Sequence, residues 1–534
     1  MKETKLSNEM LETIQANNGL RRYLSGLSDG KEATPRSSLY NLSGKTEMLE
    51  PDDILKRWQS KLDSLESGSS FEKKVFQFDS HQLEKWGPQG EVPPIADILD
   101  EIVLPTFSGT QKRFEVFSTA EWRLAKRSVE RKLHSAGCVG LAPVPLSRVV
   151  DDMRARDTLE SNSGWPLFTR RNKPEVIKAS IEAAQNGLWK TYPAIALFRN
   201  YNQKTRLVWM FPMSANLKEG SFFQPLQSIL MKVPVTHTAA QFLSPWAGFE
   251  RVREIVGEFY SKNRYIAASD FSSTDAHFQL QTTMEVFDVL QSCFQPRFRS
   301  ELLESLCYMH EIPLIVGSNL MLTGTHGVSS GSNWTNFVET IFDWILSEYV
   351  RIDSQSQHAG LYAIGDDMSW YSLAYDEHFA DYLASVGMKV GQEIKADKTT
   401  NNRDDVKSLQ RLFQRGYLRP DGQIRAVYST IRGLKSLVYP ERFHKPELWS
   451  KDMEAIRDFM ILENCVDHPL FTEFCKFVSD GDPNLKVVAK MSPSRQQNLL
   501  RQSKLVPGLN ATYNQEKRDQ SLANFASVKT IAEL

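Results

Sequence analysis

The 534-residue chain contains no run of about eighteen apolar residues, so it offers no membrane-spanning helix. Its opening residues, Met1-Lys2-Glu3-Thr4-Lys5, are polar and lack the apolar stretch of a secretion signal, which leads to the expectation of a soluble, intracellular protein. Cysteine is scarce. Five residues, an odd number scattered over a long chain, argue for free thiols in a reducing compartment and against a disulfide framework. Cys465, His468 and Cys475 fall close together, but a structural zinc site asks for four ligands and no fourth stands near them. Net charge is almost absent, with 64 Lys and Arg against 65 Asp and Glu. Gly30-Lys31-Glu32 lacks both the hydroxyl and the leading spacing of G-x4-G-K-[ST], which excludes a P-loop helicase or packaging ATPase. Internal repeats and low-complexity tracts are missing too. What remains is a large chain, 41% hydrophobic, with enough apolar material for several lobes.

Charge is nevertheless unevenly spread. Lys112, Arg113, Arg123, Lys126, Arg127, Arg131 and Lys132 precede Arg148, Arg154, Arg156, Arg170, Arg171, Lys173, Arg199, Lys204 and Arg206, with Trp122, Trp165 and Trp189 interleaved. Two readings compete: a set of solvated faces, or a channel for phosphates and stacked bases.

One stretch stands out. Leu361-Tyr362-Ala363-Ile364-Gly365-Asp366-Asp367-Met368-Ser369-Trp370-Tyr371 sets β-forming runs on either side of a Gly-Asp-Asp step, the pattern of strand, tight turn, strand. Adjacent carboxylates repel, a divalent cation would relieve them, and oxygen-only ligands favour magnesium or manganese over zinc. A solvated turn would read the same way, so the rest of the chain must decide. Tyr265-Ile266-Ala267-Ala268-Ser269-Asp270-Phe271-Ser272-Ser273-Thr274-Asp275 takes an apolar strand into Asp270, then a turn, then a helix with Leu280, Met284, Phe287 and Phe294 on one face. Asp275 falls near the helix start, where capping alone would account for it. Gly327-Val328-Ser329-Ser330-Gly331-Ser332-Asn333-Trp334-Thr335-Asn336 is a small-residue loop leading into a helix with Phe337, Ile341, Trp344, Ile345 and Tyr349 at helical spacing.

In that order, Asp-x4-Asp, Ser-Gly-x3-Thr and Gly-Asp-Asp resemble the palm motifs of viral RNA-dependent RNA polymerases. Upstream, Ser161-Asn162-Ser163-Gly164-Trp165-Pro166 is similar to the [ST]-x-x-G-x-P loop where template enters, which implies template contacts at Ser161, Gly164 and Pro166. Arg199, Lys204 and Arg206 are placed like the basic fingers motif that holds the incoming triphosphate. Downstream, Gly387-Met388 to Ala396-Asp397-Lys398 resembles the loop supplying a lysine general acid, and Ser408-Leu409-Gln410-Arg411-Leu412-Phe413 the primer-grip hairpin. The Asp-Phe-Ser-Ser-Thr-Asp string and the length look most like picobirnavirus polymerases, with partitivirus enzymes next.

The resemblance implies template-directed RNA synthesis by two-metal phosphoryl transfer, replicating and transcribing a double-stranded RNA virus genome. Asp270, Asp366 and Asp367 would be catalytic and hold Mg²⁺, or Mn²⁺ in its place, with Lys398 as general acid. Arg199, Lys204, Arg206, Asp275, Ser330, Gly331, Thr335, Asn336 and Glu339 would form the NTP site. Implied partners are the RNA template and product, NTPs and the viral capsid. The chain is expected as a monomer, without a membrane, in the virion interior and host cytoplasm. Glu339 departs from the family pattern, since many positive-strand enzymes carry Asn there. An ionised carboxylate cannot donate a hydrogen bond, so Thr335 and Asn336 are expected to orient Asp275, and an approach of Glu339 to Asp275 should raise one pKa.

The implied fold is an α+β right hand. Its expected parts are an N-terminal arm linking fingertips and thumb over 1–65, fingers over 66–265, palm over 266–287 and 329–425 around an antiparallel sheet, and a fingers insertion over 288–328. A helical thumb and tail follow over 426–534, with a helix opening at Pro446-Glu447 and a polar tail after Val506 that packs back toward the active-site cavity. Asp270 and Asp366, roughly a hundred positions apart, can meet only on adjacent strands. Three other readings stay open. A reverse transcriptase usually has an aromatic gate at the Asp275 position; a non-catalytic, capsid-associated RNA-binding protein leaves the carboxylates without a purpose; a metal-dependent nuclease differs in product length.

Overall fold

The computed structural model describes residues 1–42, 44, 47–156, 158–442, 444–506 and 521–534. The Gly-Asp-Asp stretch forms β7 (His358–Ile364) and β8 (Asp367–Ser372), joined by a two-residue turn. β8 pairs antiparallel with β4 (Tyr265–Ser272). On its other side β4 pairs with β10 (Thr400–Asn401) and, further along, with β9 (Glu393–Ile394), again antiparallel. Asp270 and Asp367 are direct partners in the β4–β8 ladder, so one register closes the long separation in sequence.

Both faces of this sheet are covered. On one, Ala267, Phe271, Ala363, Met368 and Trp370 share the largest apolar cluster with the Trp334–Asp353 helix. On the other, Ile266, Leu361 and Tyr362 meet Val252, Ile255 and Val256 of the Phe249–Ser261 helix. Burial from both sides is why Leu361-Tyr362-Ala363-Ile364 reads as a continuous apolar run instead of an alternation.

A second sheet has the order β1 (Lys2–Lys5), β6 (Leu320–Thr323), β5 (Leu314–Ile315), β2 (Ala194–Tyr201) and β3 (Lys204–Met210), with β2 and β5 parallel. The β2–β3 hairpin turns through Asn202 and Gln203, both left-handed with φ of 55° and 60°. A third sheet holds β11 (Asp405–Ser408), β12 (Arg411–Gln414) and β13 (Val427–Tyr428). Beyond it the chain is helical, and Ile431, Leu434, Ile456, Phe459, Phe474 and Val478 build one core with Trp58, Val75 and Phe78 from the far end of the sequence. The expected arm over residues 1–65 thus touches two regions, since Leu6, Ile14, Leu20 and Leu24 pack instead on the β1–β3 sheet.

Several local expectations change. The Ser67-Gly68-Ser69-Ser70 stretch is a helix start, in which Ser69 and Glu72 form a capping box. The helix expected at Pro446 begins at Lys451, because the Ser450 hydroxyl caps the Met453 N–H while Lys445–Leu448 closes a turn. Of the expected tail, residues 507–520 lie outside the described residues. Its last part packs on the C-terminal helices, not toward the carboxylates: Leu522, Phe525, Val528 and Ile531 are buried there, and Glu463 accepts from the Ala526 and Ser527 N–H groups at 3.0 and 2.9 Å.

His468 has partners of its own. His468 accepts the Leu470 N–H on Nδ1 and donates from Nε2 to Asp79 at 2.8 Å, and all five cysteines are free thiols. Asp79 is fully buried and accepts from Thr430 Oγ1 at 2.7 Å, from the Ile431 N–H at 2.9 Å and from Ser429 Oγ. Burial pushes its carboxyl up, but the His468, Ser429 and Ile431 hydrogen bonds outweigh that and hold it below the usual carboxylate range. Several members of the basic run are taken up by acids of the chain. Arg113 and Lys126 pair with Glu285, Lys132 with Glu348, Arg154 with Asp151, Arg156 with Asp152, and Arg170 with Glu160. Trp122, Trp165 and Trp189 are core residues, not open stacking platforms.

Candidate active site

The β7–β8 turn is held from behind. Gly365 takes φ +59°, a value glycine adopts without steric cost, and its N–H donates to Thr340 Oγ1 at 2.9 Å. The same hydroxyl donates to Asn336 O at 2.6 Å, tying the turn to the Trp334–Asp353 helix. A side chain at Gly365 would have its Cβ 2.9 Å from Asn336 Nδ2 and 3.3 Å from Glu339 Oε2, so those two groups crowd the turn. At the front, Asp270, Asp366 and Asp367 are open to solvent, while the protein packed around the turn still desolvates the last two.

Six carboxylates gather here. Burial raises Asp366, helped by Asp270, while Arg206 opposes the shift. Burial and the charges of Asp366 and Asp270 lift Asp367 to about 7. Asp275 rises to about 6, chiefly by burial and then by Asp366, against the Ser330 hydrogen bond and the charges of Arg206 and Lys204. Glu339 and Asp343, both buried, lie well above the usual range through desolvation and the acids around them. The expectation that an approach of Glu339 to Asp275 would raise one pKa is met at Glu339, where Asp275 acts after burial and Asp366; at Asp275 itself the rise comes from burial and Asp366. Asp343 has no hydrogen-bond partner on either oxygen. The sequence reading missed it, although an acid one turn beyond Glu339 on an otherwise apolar helix was a legible signal. Among the described residues, no three His, Cys, Asp or Glu side chains already stand in a metal-ligand arrangement.

The remaining sequence candidates divide by what they touch. Asp275 does not cap its own short helix: Ser330 Oγ donates to its Oδ1 at 3.3 Å. Thr335, expected to orient Asp275, instead donates to Ser329 O at 2.8 Å, so Ser330 makes that contact. Gly331 lets the loop lie on β3, since its Cβ would fall 1.8 Å from Trp209 O. Lys204 and Arg206 are exposed and make no ion pair among the described residues, whereas Arg199 is bidentate on Glu441 at 2.7 and 2.8 Å. Lys398 is exposed in the short link between β9 and β10, two strands that both pair with β4. Gly164 packs on Phe211, Ser161 is exposed and Pro166 half-buried, all in a loop braced by Ser163, which accepts the Met213 N–H at 2.8 Å.

A cavity of about 570 Å³ lined by Phe249, Arg411, Arg419 and Asn464 includes none of these carboxylates. Asp270, Asp366 and Asp367 stand exposed at the β7–β8 turn, with Glu339 and Asp343 buried behind them.

Comparison with known proteins agrees. The family model described as viral RNA-dependent RNA polymerase matches residues 201–457, a span holding all six carboxylates and Lys398. A potential RNA-dependent RNA polymerase of human picobirnavirus is 26% identical over 492 residues, 87% of this chain and 85% of that protein. An RNA-directed RNA polymerase of Cryptosporidium parvum virus 1 is 25% identical over 205 residues, 37% of this chain and 38% of the other. The crystal structure of the RNA-dependent RNA polymerase of a human picobirnavirus superposes with TM-score 0.80 at 21% identity, covering 99% of this chain and all of that one. An insertion-loop deletion mutant of that enzyme gives 0.78. With the motifs in order and the right-hand fold matched over nearly the whole chain, residues 201–457 form a viral RNA-dependent RNA polymerase domain.

Proposed function

We propose that the carboxylate site joins NTPs on an RNA template by metal-assisted phosphoryl transfer, in replicating and transcribing a double-stranded RNA virus genome. The observation that carries this reading is the crowding of six carboxylates around the direct Asp270–Asp367 pair, opposed by Arg206 and Lys204. So much uncompensated negative charge fits cations as residents. Asp270 and Asp366, with Asp367 beside them, would hold two divalent ions, Mg²⁺ or Mn²⁺ by their all-oxygen donors, which when bound neutralise the triphosphate and favour ionisation of the primer 3′-hydroxyl.

The chain's own groups do the rest. Lys204 and Arg206 draw the triphosphate over the carboxylates; Arg199, taken up by Glu441, contributes to that charge less directly. As the primer O3′ forms its bond to the α-phosphorus, the bond to the pyrophosphate oxygen breaks, and Lys398 supplies the proton to that leaving group. Asp275, steadied by Ser330, accepts a hydrogen bond from the ribose 2′-hydroxyl. Asn336 and Glu339 back the turn, and the Ser161–Pro166 loop guides template. The β4–β7–β8 sheet with β9 and β10 serves as palm, the residues before it as fingers, and the C-terminal helices as thumb. The chain works as a monomer beside the capsid, in the virion interior and the host cytoplasm.

The test uses purified protein, single-stranded RNA without primer, four NTPs and each metal in turn. Template-length RNA made only when all four NTPs are present supports the reading. Preference for dNTPs would indicate a reverse transcriptase, shortened input RNA a nuclease, and binding without incorporation an RNA-binding protein.

A further inference from the structure

One polar network, outside the carboxylate site, spans two loops that the sequence treats as separate motifs. Arg171 leaves the Ser161–Pro166 loop region, where its Nε donates to Asn162 O at 3.0 Å and its N–H to Ser161 O at 3.1 Å. Its other arm donates from Nη2 to Asn216 Oδ1 at 2.9 Å. Asn216 is 1% exposed on the Met213–Leu230 helix and uses both ends of its amide, donating from Nδ2 to Glu219 Oε2 at 3.0 Å and to Gly331 O at 3.2 Å. Its backbone carbonyl accepts from Asn333 Nδ2 at 3.2 Å. Glu219, 2% exposed, then accepts from Ser332 Oγ at 2.5 Å and from the Asn333 N–H at 2.8 Å. The loop so gripped, Gly331–Asn333, continues directly from Ser330, whose hydroxyl holds Asp275.

Such a network is costly to assemble. A buried carboxylate and a buried amide must find every partner or destabilise the fold, and burial pushes Glu219 up to about 7 despite the Ser332, Asn216 and Asn333 donors. Starting the Trp334–Asp353 helix asks for less: its N-cap Asn333 makes no side-chain capping bond, and the Ser332 hydroxyl accepts the Trp334 N–H at 3.0 Å. Nothing in that capping role calls for Asn216 or for an arginine reaching from the Asn162 loop. Asn216 alone satisfies groups on both loops at once, so displacement of either must be felt by the other or break a buried hydrogen bond.

We propose that Arg171, Asn216 and Glu219 are positioning residues that fix the Ser161–Pro166 loop and the Ser330 loop as one unit, linking the seat of the template to the pocket that reads the incoming ribose. This rests on the polymerase reading. It assigns none of the three a contact with substrate; they act through Ser330, Gly331 and Asn162.

The test compares Arg171→Gln, at the half-buried outer end, with Asn216→Leu, at the buried centre, and with the double variant. Active-site titration first normalises each preparation. Two quantities are then read per active molecule: the KM for single-stranded RNA template, and the ratio of kcat/KM for GTP over dGTP opposite a template C. Each single variant is expected to raise the template KM and lower the ratio together, each by about tenfold, with Arg171→Lys recovering part of both and the double variant no worse than Asn216→Leu. A split outcome, Arg171→Gln moving only the template KM and Asn216→Leu only the ratio, would overturn the link, as would variants that merely lower the active fraction. Wild type run alongside separates the failures. An inactive wild type refutes the polymerase reading itself, whereas an active one with uncoupled variants refutes only the relay.

Discussion

Two buried acids in this molecule are treated in opposite ways. Asp79, beneath the C-terminal helices, receives donors from His468, Ser429, Thr430 and Ile431, and its carboxyl is held below the usual range. Asp343, beneath the Gly-Asp-Asp turn, receives none and is driven well above it. Both are fully buried, so burial does not distinguish them; the supply of hydrogen-bond donors does. Where a carboxylate joins distant segments, the chain surrounds it with hydrogen bonds. Beneath the turn it leaves Asp343 without donors, next to the exposed Asp366 and Asp367.

Four tests would break or sharpen that contrast. The largest effect is expected at the carboxylate site: Asp270→Asn and Asp366→Asn should each cut single-nucleotide incorporation at saturating Mg²⁺ by about 10³-fold with no loss of thermal stability. Retention of more than about a tenth of the wild-type rate in either would remove those residues from the metal-holding set.

Asp79→Asn should do the reverse, destabilising the fold by about 3 kcal/mol in urea titrations while leaving the rate per folded molecule unchanged. The sign of its pH dependence follows from the depressed carboxyl. Its contribution is fully present above the unfolded value of about 3.9 and disappears as pH falls through the lower folded value, because the unfolded chain takes up the proton first. Acid unfolding of Asp79→Asn should therefore be shallower than that of wild type.

Third in size is Asp275→Ala, expected to narrow the GTP-to-dGTP preference by about ten- to a hundredfold, more than Glu339→Ala does. Equal ratios in wild type and Asp275→Ala would leave Asp275 with only its bond to Ser330. The smallest effect belongs to Asp343→Asn, which should stabilise the metal-free protein by about 1 kcal/mol. Here the folded carboxyl is raised, so wild type loses stability as pH climbs above about 3.9 toward the folded value, and the gain should be larger at pH 8 than at pH 5. Denaturant midpoints at the two pH values decide it.

Much of the site was legible because its residues sit on strands whose pattern reads locally. Gly365 predicts a turn, Asp366 and Asp367 its charge, and the apolar flanks the two strands. Pairing of β4 with β8 followed from needing Asp270 and the turn together. Side-chain direction was less accessible. Thr335 and Ser330 both offer hydroxyls near Asp275, and only the Gly331 backbone, pressed onto Trp209, decides that Ser330 faces the acid. The basic run reads ambiguously for a related reason: composition records charges but not the acids that other segments bring to them, such as Glu285 to Lys126. Cys465, His468 and Cys475 resembled a partial ligand set because Asp79, the true partner of His468, lies 389 positions away.

The strand at Lys2–Lys5 carries a consequence for how the chain is made. Thr4 and its neighbour Thr323 are separated by 319 positions, so on a ribosome the Lys-Glu-Thr-Lys segment emerges long before the edge it will occupy exists. Trp58 and Asp79 wait longer still, for Thr430 and His468 at separations of 372 and 389. Assembly of the β1–β6 edge and of the C-terminal core is thus postponed until late in synthesis. A waiting strand is a hazard when it is apolar, because its free backbone can pair with another nascent chain. This one is polar throughout and carries a lysine at each end, so it can idle without recruiting the wrong neighbour.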